Sequence, residues 1–296
     1  MSGPGNTSGR RATGTAVLFL APFLTVYAVF LVFPLFKGLW ISLHDWELAG
    51  GYREYIGIRN YQDLWSDKLF WRTIRNTLYF VAITVPTMTV LALTLALAVH
   101  GDGRLKAVLR SVFFMSSVFS VTVVTLVWSM VLSADKGLLM PIWSTLGTPP
   151  VNFLGNKTLA MPSIALATLW WGVGLPMALF LAALGQIPHE LYEAAELDHA
   201  PRLTVLRRIT LPSIRHTLLL VVVLQIVGQF QIFGQAVLMT QGGPANSTKT
   251  MVQYIYETGF RDWQVGYASA VAMALFVLMI GFSMLQLWLG RRGDEA

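Results

Sequence analysis

The sequence predicts an all-α membrane protein with six transmembrane helices, and three observations predict it. The chain is 55% apolar and only 12% charged, about half the charge of an ordinary soluble domain. Six stretches carry no charged residue: 12–36, 76–101, 111–134, 158–189, 216–248 and 263–290. Each is longer than the roughly 20 residues that cross a bilayer core. A seventh charge-free stretch, 137–156, holds Pro141, Pro149, Pro150 and three glycines and reads as a loop.

Residues 1–14 form a tail rich in Gly, Ser and Arg, expected to be disordered and cytoplasmic. Residues 15–73 hold the first helix and an external segment. No small-residue cleavage pattern follows that helix and it exceeds a signal h-region, so it reads as a retained anchor. The external segment carries Trp40, Trp46, Tyr52, Tyr55, Tyr61, Trp65 and Trp71, a density of aromatics that suits the lipid–water interface. Residues 74–290 supply the other five spans as one core, with Pro86, Pro162, Pro176, Gly172 and Gly174 inside them. Such breakers are tolerated where neighbouring helices or a cavity satisfy the freed backbone.

Six spans place both termini on one side. The loops of that side, 1–14, 100–110, 186–215 and 290–296, hold 11 of the 21 Lys and Arg residues in the shorter length of chain. The positive-inside rule makes that side cytoplasmic. The net charge of +6 is thus an orientation signal rather than a sign of nucleic-acid affinity. Zero Cys excludes disulfides and thiolate metal sites.

The loop 186–215 stands out. It holds Glu190, Glu193, Glu196, Asp198, Arg202, Arg207, Arg208 and Arg215 between two long charge-free stretches. Pro188 suits the first turn of a helix, and Glu190 and Glu193 suit its positive end. Leu191, Ala194 and Ala195 fall at i, i+3 and i+4, one face on which two small side chains admit another surface. Pro201 disfavours helical geometry at Ala200 and opens a second helix that Pro212 stops. This helix–break–helix either meets a soluble partner or lies as an amphipathic connector on lipid headgroups.

Glu193-Ala194-Ala195-Glu196-Leu197-Asp198-His199-Ala200, followed by Ile209-Thr210-Leu211-Pro212, resembles the EAA loop of ATP-binding-cassette importer permeases. Tyr55-Ile56-Gly57-Ile58-Arg59-Asn60-Tyr61 resembles the F-V-G-L-x-N-Y segment of carbohydrate-uptake permeases. Thr240 to Thr248 resembles their T-x-G-G-P-x-x-x-T loop, and Gly266-Tyr267-Ala268-Ser269-Ala270 the start of their last helix. The combination is similar to the maltose-type first permease, without the extra helices and large periplasmic insertion of some members. One departure stands at His199, where the pattern has Gly. If that position needs a positive φ, His is costlier than Gly there.

The resemblance implies a type I ABC importer transmembrane domain in the inner or plasma membrane. It implies a sibling permease, two ATPase subunits and an extracytoplasmic solute-binding protein, all working in membrane lipid. Glu193, Ala194, Ala195, Asp198 and His199 would couple the chain to an ATPase. ATP and Mg²⁺ would sit on those partners, with no cofactor on this chain. The sequence agrees in what it lacks: no G-x-x-x-x-G-K-[ST] loop for ATP and no charged group in mid-membrane, which a proton-coupled carrier usually needs.

A solute path is expected along the fifth span. At 100° per residue, Gln225, Gly228, Gln229, Ile232 and Gln235 fall within one arc. Amides that donate and accept suit hydroxyls, and Phe233 and Trp171 could offer flat apolar faces to a sugar. The competing reading is that the Gln residues join helices. The expected function is ATP-driven import of a sugar or oligosaccharide, without covalent chemistry on this chain. Alternatives are a polyol or glycerol phosphate cargo, a standalone secondary carrier, or a membrane scaffold.

Overall fold

The structure is a computed structural model, and the residues described are 19–134 and 137–292. The expected tail and the start of the first span lie outside them. Three helices are long and apolar enough to cross a bilayer alone, and three bent helix pairs bring the number of spans to six.

Helix α1, Phe19–Ile41, is apolar up to Lys37 in its last turns, and none of its spanning window is buried within this chain. A π turn at Ala28–Val32 precedes Pro34. Proline cannot donate to a carbonyl four residues back, and its ring crowds that carbonyl. The wider turn sends the Phe33 N–H to the Ala28 carbonyl instead. A two-stranded antiparallel hairpin follows, β1 (His44–Glu47) and β2 (Gly51–Tyr55), with an irregularity between Asp45 and Trp46. It is the only sheet among the described residues. A short helix, α2 (Arg59–Ser66), leads to α3 (Lys68–Val99).

Helix α3 is the axis of the molecule. Asp67 caps it by accepting from the Leu69 N–H at 2.8 Å. Its side chains enter all three clusters of the core: Met88, Ala92 and Ala96 the first, Val81 and Val85 the second, Phe80 the third. Ala92 and Ala96 are fully buried. Small residues four apart let a neighbouring backbone come close, the usual basis of helix packing in membranes.

The third span differs from expectation. The stretch 111–134 is not one helix but part of two, α4 (Arg104–Ser116) and α5 (Val121–Leu132), meeting at 97°. The loop 137–156 contains one helical segment, α6 (Met140–Leu146), with Pro141 in its first turn; seven residues cannot span. The fourth span is α7 (Ala160–Gly172) and α8 (Gly174–Leu184), bent by 48°. A Cβ on Gly174 would stand 2.6 Å from Ser117 Oγ and 2.9 Å from the Phe113 carbonyl. Only a glycine lets α8 begin inside the break of the third span. Helix α9 (His189–Leu197) follows. Then come α10 (Arg202–Ser213) and α11 (Arg215–Phe230), bent by 71°. The expected fifth span, 216–248, thus ends at Phe230. The chain turns at 231–233 into a separate short helix, α12 (Gly234–Thr240). Helix α13 (Met251–Tyr256), extended by a π turn to Arg261, precedes the last span, α14 (Val265–Arg292).

Candidate functional site

The charged loop forms the helix–break–helix that its sequence predicts. Helix α9 closes with two bonds: His199 N–H to the Glu196 carbonyl at 3.0 Å, and Ala200 N–H to the Ala195 carbonyl at 2.9 Å. That pair defines a Schellman turn, which requires a left-handed residue between helix and exit. His199 is that residue, with φ +53°. Asp198 is the exposed cap before it. Tyr192 OH lies 3.2 Å from Thr210 Oγ1 and ties the two helices together.

The two alanines of the loop do not share a face. Ala195 is buried in its own chain, whereas Ala194 is exposed beside Glu190, Glu193 and Leu197. Leu197 is 82% exposed. Positions 190, 193, 194 and 197 make one helical stripe, so the surface offered outward is carried by Ala194 and not by Ala195.

The amide row is corrected more sharply. Because α11 ends at Phe230, the arc drawn through Gln235 crosses a break and fails. Gln235 sits on α12 and is buried, as is Ile232 before it. Gln225 and Gln229 remain one turn apart on α11, half-buried, with Gln229 Nε2 donating to Gln225 Oε1 at 3.0 Å. Between them Gly228 is exposed, and a Cβ there would meet nothing. This face of α11 is turned away from the chain's own core. Phe233 stands at the break, its ring 5.2 Å from Tyr256.

Trp171 has a structural job that the sequence did not announce. Its indole donates to the Phe119 carbonyl at 2.9 Å, and its own carbonyl accepts from Ser117 Oγ at 3.1 Å. It satisfies backbone freed where the third span breaks. Trp128 and Trp170 do meet, edge to face at 6.1 Å, beside a cavity of about 620 Å³ between α3, α4, α5 and α7.

At the hairpin end, the motifs that carry the family resemblance are fasteners. Asn60 is buried and donates to the Ser42 and His44 carbonyls at 2.8 and 3.1 Å. Gly266 lies so close to the hairpin that a Cβ would stand 2.2 Å from the His44 carbonyl. Thr240 and Thr248 meet through their hydroxyls at 2.7 Å, and Thr248 donates to the Gly243 carbonyl. Asn76 of α3 donates to the Asn246 and Lys249 carbonyls. Asp67 accepts from both Tyr254 and Tyr267. Burial opposes its ionisation, but these bonds and those from the start of α3 hold its carboxyl below the usual range. Burial first, then the Asp67 bond, push Tyr254 up to about 12. Sequence reasoning placed these motifs but gave them no role. The signal was Asn and Thr set beside glycines in loops, where their side chains readily bond backbone groups.

Residues 88–294 match the family of binding-protein-dependent transport system inner membrane components. The chain belongs to that family. It is thus a multi-pass permease component of the inner membrane, in a system that works with a binding protein. A probable ABC transporter permease protein, YurN of Bacillus subtilis (strain 168), is 30% identical, with 94% of this chain and 96% of the relative covered. The trehalose/maltose transport system permease protein MalF of Thermococcus litoralis is also 30% identical, covering 93% and 92%. So is the lactose transport system permease protein LacF of Rhizobium radiobacter, covering 93% of each. Among solved structures, a bacterial ABC transporter for import of the acidic polysaccharide alginate has a chain that superposes with a TM-score of 0.82. It is 22% identical and covers 96% of this chain and 98% of that one. The likeness confirms the overall fold.

Proposed function

We propose that this permease forms one wall of the solute path in an ATP-driven importer of sugars or oligosaccharides. The observation that carries the reading is the Schellman-closed helix α9. Its exposed stripe of Glu190, Glu193, Ala194 and Leu197 stands at one end of the molecule, in a sequence with no nucleotide-binding loop. Such a stripe fits a cleft on an ATPase, and the energy for transport enters there. The sugar class is supported by the relatives named for trehalose, maltose and lactose.

The path runs along the exposed face of α11. Gln225 is ten residues past Arg215, about 15 Å of helix and so near the middle of a bilayer core. A sibling permease covers that face from the other side, and the solute moves between the two. ATP binding closes the ATPases, draws the two α9 helices together and opens the path to the loaded binding protein. Hydrolysis, with Mg²⁺ on the partner subunits, resets it. Residues 100–110 and 186–215, with both termini, face the cytoplasm.

Purification from native membranes should recover an ATPase, a sibling permease and a binding protein, and the assembly in proteoliposomes should take up a radiolabelled disaccharide only with ATP and binding protein. Gln225→Leu and Gln229→Leu should each lower uptake several-fold, the effect of losing about 1 kcal/mol of hydrogen bonding. Sugar uptake by the chain alone, driven by a proton gradient, would overturn the reading in favour of a standalone carrier.

A further inference from the structure

A groove of about 780 Å³ lies between α1, α3 and α14, with α2 against its hairpin end. No residue of the amide face of α11 lines it, and no motif or comparison assigns it a role. Phe36 of α1, Ile74 of α3 and Val277 of α14 stand on its three walls. Phe36 and Val277 are 64% and 67% exposed. Of the lining side chains only Tyr61, Trp65 and Trp71 carry an N–H or O–H. Tyr61 OH is 2.7 Å from Ser42 Oγ, and the Trp71 indole donates to the Trp65 carbonyl at 2.8 Å. That leaves the indole of Trp65, which is 73% exposed. A solute that needs several hydrogen bonds is not served here, whereas a hydrocarbon chain is.

The depth of the groove follows from its walls. They come from the last turns of α1, the first turns of α3 and the first half of α14. The groove therefore lies in the bilayer leaflet at the hairpin end. The rings of Trp65 and Trp71, edge to face at 4.9 Å, suit the lipid–water boundary there.

Cations gather along one edge. Residues 59–75 hold Arg59, Lys68, Arg72 and Arg75 against Asp63 and Asp67. Asp67 is turned inward onto Tyr254 and Tyr267. Lys68, Arg72 and Arg75 are exposed and form no ion pair among the described residues. Arg72 donates to the Ala245 carbonyl at 3.2 Å. Lys68, Trp71 and Arg75, at i, i+3 and i+7, share one face of α3, and Trp71 of that face lines the groove. The placement opposes the helix dipole, which favours anions at this end of α3. Three cations so placed ask for an anion from outside the chain.

We propose that the groove binds an anionic glycerophospholipid of the leaflet at the hairpin end. One acyl chain lies between α1, α3 and α14. The phosphate stays outside the groove, between Lys68 and Arg75, whose stems lie along the apolar surface while their charged ends reach the headgroup. The Trp65 indole donates to an oxygen of the headgroup region. A helix of another subunit covers the apolar walls but leaves the cations unanswered. A zwitterionic lipid brings a cation of its own to them. An anionic lipid answers both features, and it fastens α1, whose spanning window is unburied in its own chain, to the core. The site is independent of the solute and of the sugar-import reading.

Site-specific photo-crosslinking tests it. The intact assembly, with Phe36 of this chain replaced by p-benzoylphenylalanine, is irradiated in nanodiscs of equal parts phosphatidylglycerol and phosphatidylcholine. Mass spectrometry then counts the lipid adducts on this chain. Phosphatidylglycerol adducts should exceed phosphatidylcholine adducts by about fivefold. Lys68→Gln and Arg75→Gln should each lower that ratio at least twofold and together bring it near one. The charge-keeping pair Lys68→Arg and Arg75→Lys should preserve it. So should Lys157→Gln, which removes an exposed cation on the loop before α7. Equal adducts in the wild type would make the groove an unselective face of the protein. A cross-link to another subunit in place of lipid would make it a protein interface. A ratio that survives the double Gln variant would put the anion preference elsewhere. Each of these three results overturns the proposal.

Discussion

At position 199 the backbone sits in the left-handed region, with φ +53°, where a side chain crowds the following carbonyl. That crowding costs about 1–2 kcal/mol for most L-residues, and His is among those that bear it best. The Schellman bonds from His199 and Ala200 hold the conformation in place, so the departure from the Gly pattern leaves the geometry of the loop intact. His199→Gly should therefore raise thermal stability by up to about 1 kcal/mol, with the added freedom of the unfolded glycine offsetting part of the gain. Transport should be retained. His199→Val should destabilise, since a β-branched residue is a true outlier there. Unfolding followed by tryptophan fluorescence reads both. A lower midpoint for His199→Gly would show that the imidazole makes a stabilising contact of its own.

Element by element, composition reports what surrounds the chain rather than whether its helix is continuous. That is why six spans were legible in the sequence while the breaks at 117–120 and 231–233 were not. Nothing at Phe230 forbids another turn of helix. The turn there is made by packing, with Phe230 and Ile232 drawn into separate parts of the core, and Gln235 leaves the amide row as a result. The bond from the Trp171 indole was hidden for the same reason, since the carbonyl it satisfies is freed only by a break that the sequence does not mark. The helix–break–helix of α9 and α10 was legible because prolines and charges mark its ends. Its facing was not, because i+3 and i+4 lie on opposite flanks of a stripe and only burial separates them. The consequence is testable. Ala195→Trp should overfill the chain's own interior, costing about 1–3 kcal/mol of stability. Ala194→Trp should leave the isolated chain as stable as wild type yet weaken retention of the ATPase. Pull-down of the ATPase, alongside unfolding of the isolated chain, distinguishes them. Equal retention by Ala194→Trp and wild type would move the docking surface away from this stripe.

Across the whole molecule, the two ends are built differently. At one end, the hairpin, the start of α3 and the segment 241–267 are bound into a single cap by Asn60, Asp67, Asn76 and the bridge between Glu47 and Gln264. At the other, α9 and α10 are joined by a side-chain bond between Tyr192 and Thr210 and carry six of the eight charged residues of the loop 186–215. A rigid cap suits docking of a binding protein, and a looser, charged end suits a moving partner. The proposed orientation, with the second end in the cytoplasm, rests on the Lys and Arg bias. A chain without Cys allows direct labelling. Thr148 and Asp262 are exposed at the cap end and lie outside the left-handed positions Gly147 and Asn246, where a new side chain or a lost hydrogen-bonding loop would strain the backbone. Asp102 and Glu196 are exposed at the other end. With single substitutions Asp102→Cys, Thr148→Cys, Glu196→Cys and Asp262→Cys, a membrane-impermeant thiol reagent should label 148 and 262 in intact cells. It should label 102 and 196 only after permeabilisation. Labelling of 102 in intact cells would invert the molecule, placing the α9 stripe where no ATP-driven partner could reach it. The coupling proposal would then fail together with the topology.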